Sequence, residues 1–449
     1  MKTPKILTAA NLLILITFMS PVFYMFWRFA NFSSSITTFL QSWNVTSLLA
    51  NTLLLFLAVV ISSLILGLSI SIILIRYKIP GSKLLYTFLV IPLVIPSYIG
   101  ALTYISAFSP KGLFVKIFSQ FGVNEISGID GFLGSWIVLT LFTYPYVLLI
   151  CSNALGNLDS TVEEAARSLG VSRIQMYTKV VIPRLRQPII YSSLLVGLYV
   201  ISDFGAVSLM KYSTITKAIY SYYEFNINGD PVIFYSTLLI LVALIISFIQ
   251  RGSNISRSAK VSGTPKKPLQ KEISFKYKLL FLLFLSLVVI TSLFIPISVL
   301  AYWLIRGINS GNNLSATFNG VIGSLSAATV TSLSAIIIST PIVVMVSQYK
   351  SRFGNIFEKL ILSLYGLPHI AVGISILFIS LKIFPRFYQS FTMLIISYLI
   401  VFLPQAVGGG QAAMEQVKSS YIDASLGMGM NKFMTFTKIT LPLIYKGLV

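Results

Sequence analysis

The stretch Asp159–Leu185, DSTVEEAARSLGVSRIQMYTKVVIPRL, is a charged run lying between two apolar segments, and it reads as two short capped helices. Ser160 with Glu163 forms a capping box, in which each side chain satisfies a backbone N–H at the helix start. Val162, Ala165, Ala166 and Leu169 fall on one face, while Glu163, Glu164 and Arg167 occupy the rest. Gly170 suits the left-handed conformation that ends a helix. Ser172 with Gln175 is a second capping box, and Pro183 stops or kinks the helix that follows. The expected product is a helix, a sharp bend and another helix, lying below the membrane. A second copy carries Ser420 with Asp423, then Gly429, Asn431 and Pro442. One such segment suits an amphipathic loop resting on lipid. Two in the same register, each capped and each broken by glycine, suit docking into another protein.

The rest of the chain explains why the run stands out. Of its 449 residues, 56% are hydrophobic and 10% charged, with mean hydropathy +0.87. A soluble domain carries roughly 25% charged residues, and a charge at the bilayer centre costs roughly 3 kcal/mol. The composition therefore implies an all-α polytopic membrane protein. The net charge of +21 fits basic loops between spans and not nucleic-acid binding. A span needs about 20 apolar residues. Such stretches lie near 6–27, 48–75, 84–108, 132–156, 188–209 and 232–250, then near 278–305, 320–347, 357–381 and 390–413. The first is too long and aromatic for a cleaved leader.

Lys2, Lys5, Arg76, Lys78, Lys83, Arg167, Arg173, Lys179, Arg184 and Arg186 share one side with the basic linker 251–276; the other side has Arg28, Lys111, Lys116, Lys211 and Lys217. The basic side is cytoplasmic by the positive-inside rule, so the N-terminus is inside. The Ser-, Lys-, Gly- and Pro-rich linker reads as a flexible tether. Cys151 is the single cysteine, which excludes an internal disulfide and a cysteine metal site; the single histidine, His369, lies in an apolar run and is expected to be packed.

The chain also repeats itself. Pro145, Glu164, Gly170 and Pro183 pair with Pro404, Asp423, Gly429 and Pro442 at a constant separation of 259 residues. Upstream the separation is 272, pairing Tyr77 with Tyr349 and Pro96 with Pro368, so the first half holds an insertion near Ser109–Gly134. Six spans per half give a parallel repeat in which both halves face the same way. The expected organisation is a first half over 1–250, a linker over 251–276 and a second half over 277–449. By the same pairing Val449 matches Ile190, early in the fifth span of the first half. The second half is thus expected to be incomplete, lacking its last two helices, and the chain to be part of a longer protein.

Glu164-Ala165-Ala166, then Gly170, then Val180-Val181-Ile182-Pro183 resembles the E-A-A loop of ABC-importer permeases. The second copy, Asp423-Ala424-Ser425, Gly429 and Ile439-Thr440-Leu441-Pro442, departs by Asp for Glu and Ser for Ala. The resemblance covers the whole chain and implies the type I ABC importer permease fold. It also implies that the short helix before each glycine docks in a cleft of a cytoplasmic ATPase. The coupling residues are then Glu163, Glu164, Ala165, Ala166, Gly170 and Pro183, with Asp423, Ala424, Gly429 and Pro442. No G-x-x-x-x-G-K-[ST] run occurs, so this chain lacks that phosphate cradle. ATP and magnesium belong to a separate subunit, two copies of it for two docking helices, and the chain itself holds no cofactor and is not an enzyme. The further partner is an extracytoplasmic substrate-binding protein, and the setting is a bacterial plasma membrane.

Fusion of both halves marks a subset of the family. Val90–Gly112 (VIPLVIPSYIGALTYISAFSPKG) and Leu198–Tyr220 (LYVISDFGAVSLMKYSTITKAIY) look like the ferric-iron permeases of that subset, with the thiamine permeases as runner-up. Tyr98, Tyr104, Ser202 and Asp203 are the candidates to line a passage; the tyrosines better suit an interfacial aromatic belt. Gly408-Gly409-Gly410 suits close helix packing. A secondary transporter with two six-helix halves would need buried ionisable residues, of which Asp203 is the main one, and it would leave the two bends without a purpose. A membrane enzyme finds no catalytic set here.

Overall fold

The computed structural model describes residues 4–31, 44–110, 112–119, 128–158, 168, 170–225, 229–252, 270–311, 315–347, 349, 352–364, 367–415, 419–435, 438–439 and 442. These are helical apart from turns and one isolated bridge. The helices that matter below are α1 (Lys5–Ala30), α2 (Val45–Arg76), α3 (Ser82–Val90), α4 (Ser97–Phe108), α5 (Gly131–Gly156) and α6 (Arg186–Ser202). They continue as α7 (Gly205–Leu209), α8 (Ile215–Glu224), α9 (Asp230–Gly252), α10 (Phe275–Val289) and α11 (Ile295–Asn309). The last are α12 (Ser315–Ser347), α13 (Arg352–Ser363), α14 (His369–Ile383), α15 (Phe391–Glu415) and α16 (Ser419–Gly427). Among the described residues six helices are long and apolar enough to cross a membrane, or eight if each bent pair is one span.

Three expected spans are broken. The stretch 84–108 is α3, a 3₁₀ turn at Ile91–Val94 and α4, bent by 99° between Ser82–Val94 and Ser97–Val115. Pro92 and Pro96 remove two backbone donors there. The stretch 188–209 ends as α6 at Ser202 and resumes as α7. The stretch 357–381 is interrupted between α13 and α14, ahead of Pro368. His369 is the first residue of α14, with Pro368 as its N-cap. Gly408-Gly409-Gly410 lies inside α15 and forms no loop.

Two compact units form, each with its own core. One comprises Met1–Phe32, Ser236–Ile240 and Asn313–Val449; the other comprises Ser33–Tyr235 and Leu241–Asn312. This partition by packing differs from the repeat along the sequence: α1 packs in the same unit as α12, α13 and α14, while α10 and α11 pack with α3 and α4. In the first unit Asn11 Nδ2 donates to Leu7 O at 2.9 Å and to Pro341 O at 3.2 Å, a polar tie from α1 to α12. In the second, small residues let α2 and α5 approach closely. A Cβ on Gly67 would lie 2.6 Å from Val147 Cβ, and Ser63 Oγ meets Thr143 Oγ1 at 2.9 Å.

The end of the expected tether is docked, not loose. Lys271 forms a parallel bridge with Tyr77, its N–H donating to Arg76 O at 2.9 Å while its carbonyl accepts from Lys78 N–H at 3.0 Å. Gln270 Nε2 donates to Leu74 O at 3.3 Å, and Lys78 Nζ pairs with Glu272 Oε1 at 3.0 Å. The last turn of α2 has carbonyls without helical donors, and this short strap supplies them. Helix α10 already begins at Phe275.

Candidate functional site

Both glycine bends adopt the expected geometry. Gly170 has φ +77° and Gly429 φ +84°. At each, a Cβ would meet nothing within 4 Å, so the requirement for glycine is one of backbone conformation and not of space. After Gly170, the Ser172 N–H donates to Gln175 Oε1 at 3.4 Å and the Gln175 N–H to Ser172 Oγ at 3.3 Å, the reciprocal pair of a capping box. The chain then runs helically through Arg173–Met176, a π-helical turn at Tyr177–Val181 and Ile182–Arg184, which contains Pro183. It turns by 64° into α6, with Val181 and Leu185 buried against Leu155 of α5. Ser160, Glu163, Glu164, Ala165 and Ala166 lie outside the described residues.

The second bend is described on both sides. Helix α16 closes with Met428 N–H to Ala424 O at 3.0 Å and Met430 N–H to Ser425 O at 3.1 Å. Asn431 Oδ1 accepts from Met434 N–H at 2.8 Å and starts the next helix. Asp423 and Ala424 are exposed, as are Tyr421 and Met428. A hollow of about 380 Å³ is lined by Tyr421, Ala424, Met428, Lys438, Ile439 and Pro442. The side chain of Ser420, the expected cap, lies outside the described residues.

Ser425 accounts for one departure from the E-A-A pattern. It is fully buried and its Oγ donates to Thr435 Oγ1 at 3.0 Å, tying the two helices of the bend together. At the matching positions of the first copy stand Ala166 and Met176, and Met176 is buried. The second copy thus carries two polar residues at positions where the first carries two apolar ones. The signal was present in the sequence as the same ten-residue spacing in both copies, but reading each motif residue singly misses it.

The four passage candidates separate. Asp203 is buried, 8% exposed, in the break between α6 and α7. Ser97, the first residue of α4, donates its hydroxyl to Asp203 Oδ2. Oδ1 accepts from Ala206 N–H at 2.9 Å and Val207 N–H at 3.4 Å, and Thr216 Oγ1 donates to Asp203 O at 2.8 Å. The carboxylate thereby laces one broken span to another. Gly205 permits the approach: a Cβ there would stand 2.5 Å from Tyr98 Cβ. Ser202 is buried beside it and Tyr98 is half exposed. Tyr104 is elsewhere on α4, buried, with its hydroxyl donating to Thr291 O at 2.7 Å. Among the described residues no three His, Cys, Asp or Glu side chains group as a metal site.

Apolar spanning helices and broken spans laced by buried polar groups define a polytopic membrane component. The family model described as "Binding-protein-dependent transport system inner membrane component" matches residues 63–254 and 339–449, and the chain belongs to that family. One matched block holds Gly170 and the other Gly429. The chain is 29% identical over 409 residues to the "Fe(3+)-transport system permease protein FbpB 2" of Haemophilus influenzae, covering 90% of this chain and 77% of that one. It is 33% identical over 141 residues to the "Sulfate transport system permease protein CysT" of Salmonella typhimurium, covering 31% of this chain and 50% of that one. The CysT protein of Escherichia coli is 31% identical over the same length. The chain is thus a multi-pass inner-membrane permease component of an importer, and membership implies a substrate-binding protein and an ATPase as its partners.

Proposed function

We propose that this permease passes ferric iron from an extracytoplasmic binding protein to the cytoplasm, driven by two copies of an ATPase. One copy docks at the Gly170 bend and the other at the Gly429 bend, both on the cytoplasmic side with the N-terminus. Closure of the ATPases on ATP moves the bends, and at the first bend the motion passes through Pro183 into α6. The passage then opens to a loaded binding protein, and hydrolysis resets it. The observation that carries the coupling reading is the pair of left-handed glycines, each ahead of a newly capped helix. The hollow at Tyr421, Ala424 and Met428 supports it as a seat for an ATPase side chain. The coupling roles of Glu163, Glu164, Ala165 and Ala166 rest on the repeat and the resemblance.

Iron as cargo is supported by the length of the match: the similarity to the ferric-iron permease runs through both halves, while that to the sulfate permeases covers about a third of the chain. Sulfate is the second reading, favoured by 33% identity to the sulfate permease over 141 residues. Uptake of labelled ferric iron, sulfate and thiamine by cells lacking this permease separates them. Loss of high-affinity iron uptake alone is expected; loss of sulfate or thiamine uptake with iron uptake intact would move the assignment.

A further inference from the structure

At two irregular turns in the second unit a proline, inside the first turn and just past the end of the second, strands a backbone carbonyl, and a tyrosine hydroxyl reaches each one. In the 3₁₀ turn Ile91–Val94, Ile95 N–H bonds to Pro92 O in the i to i+3 register. In that register Leu89 O faces position 92, which is proline and has no N–H. Tyr144 of α5 donates its hydroxyl to Leu89 O at 2.8 Å. In the π-helical turn Ile290–Phe294, Ile295 N–H bonds to Ile290 O in the i to i+5 register. There Thr291 O faces position 296, again a proline. Tyr104 of α4 donates to Thr291 O at 2.7 Å. The two sites touch, since Tyr144 Oη also lies 3.3 Å from Ser292 Oγ. Both tyrosines are buried, Tyr144 at 0% and Tyr104 at 3% exposure.

The repeat supplies an internal control. The partner of Pro92 in the second half is Leu364, and the partner of Tyr144 is Leu403. Where the proline is missing, so is the phenol. The break before α14 is nevertheless kept, with Pro368 standing where the first half has Pro96. The i to i+3 closure is kept too, Leu367 N–H bonding to Leu364 O at 3.0 Å as Ile95 N–H bonds to Pro92 O, so Pro96 suffices to break the span and Pro92 adds only the stranded carbonyl. Water is absent from the bilayer interior, so such a carbonyl must find a donor within the protein.

We infer that Tyr144 and Tyr104 are positioning residues for transport. Tyr144 holds the 3₁₀ turn ahead of Ser97 and Tyr98, Tyr104 holds the π turn between α10 and α11, and together they fix the broken span in the shape that Asp203 then ties to α7. The inference rests on the permease reading, and its test needs wild-type transport as a baseline, so failure of that reading shows first. The probe is ATP-driven uptake of ferric iron into vesicles, with basal ATP hydrolysis measured alongside.

Tyr144→Phe is expected to insert normally and keep basal hydrolysis. Its uptake per ATP hydrolysed is expected to fall about tenfold, equivalent to about 1.4 kcal/mol and within the cost of an unpaired buried carbonyl. Pro92→Leu, which copies Leu364 and restores an N–H at position 92, is expected to recover most of that loss when combined with Tyr144→Phe. Tyr104→Phe with Pro296→Ala repeats the test at the π turn. A general loss of stability would not be repaired by restoring one backbone donor. Wild-type uptake by Tyr144→Phe overturns the inference, and so does a Pro92→Leu, Tyr144→Phe double variant as impaired as the single one. If Tyr144→Phe fails to insert, the π-turn pair decides by the same two outcomes.

Discussion

Substitution at Gly170 isolates the contribution of the bend, because its cost can be worked from one angle. With φ +77° and no atom within 4 Å of a Cβ, alanine there meets no steric obstacle and only the left-handed backbone opposes it. That opposition is about 1–2 kcal/mol for a residue with a Cβ, which lowers the population of the bent form about 5- to 30-fold. Valine adds the restriction of a β-branched side chain. Asparagine reaches the left-handed region through a local hydrogen bond. Uptake and ATPase retention are therefore expected to fall in the order Gly, Asn, Ala, Val at position 170, with Gly170→Val inserted in the membrane but inactive. The same order is expected at Gly429, where φ is +84° and the Cβ position is equally open. The assay is co-purification of the ATPase with the tagged permease, together with uptake in cells. Normal uptake and full ATPase retention by Gly170→Val would refute the reasoning.

Asp203→Asn keeps an acceptor for Ala206 and Val207 and is expected to retain most uptake, whereas Asp203→Ala strips the tie to Ser97 and is expected to abolish it; complete loss in the Asn variant would assign the charge itself to the passage. Ser425→Ala is expected to weaken ATPase retention by about 1 kcal/mol, and adding Thr435→Met, which copies the first bend, should restore it; no effect of either change would remove the tie from the account. The hydrogen bond and charge of Lys78 hold the exposed Glu272 carboxyl below its usual range. Because the folded value is depressed, the contribution to the strap is present above the ordinary glutamate range and lost as pH falls through the lowered value. Hydrogen exchange at the amides of Lys78 and Lys271 should quicken over that acidic window, and unchanged exchange would contradict the ion pair's part in the strap.

Most span positions were legible because hydropathy and length set them. α5 was expected over 132–156 and runs Gly131–Gly156, and α15 was expected over 390–413 and runs Phe391–Glu415. Hydropathy does not register breaks, so the 84–108 stretch looked continuous although Pro92 and Pro96 bend it. The left-handed glycines and the Ser172–Gln175 box were readable because such local chemistry has few solutions. What escaped depends on contacts far apart in the chain. The strap at Gln270–Glu272 was hidden by a flexible composition, and the packing of α1 with α12 by a repeat that reveals equivalence and not adjacency. Asp203 was singled out as a buried charge, but its bond to Ser97 spans 106 residues and follows no spacing rule.

The most direct test of the coupling account is transport in lipid vesicles containing the permease and its ATPase, supplied with binding protein loaded with ferric iron. Wild-type permease is expected to accumulate iron only with ATP, and a Gly170→Val, Gly429→Val double variant, present at equal density, to accumulate none. Continued ATP-driven accumulation by the double variant would show that force reaches the passage by another route and contradict the role assigned to the two bends.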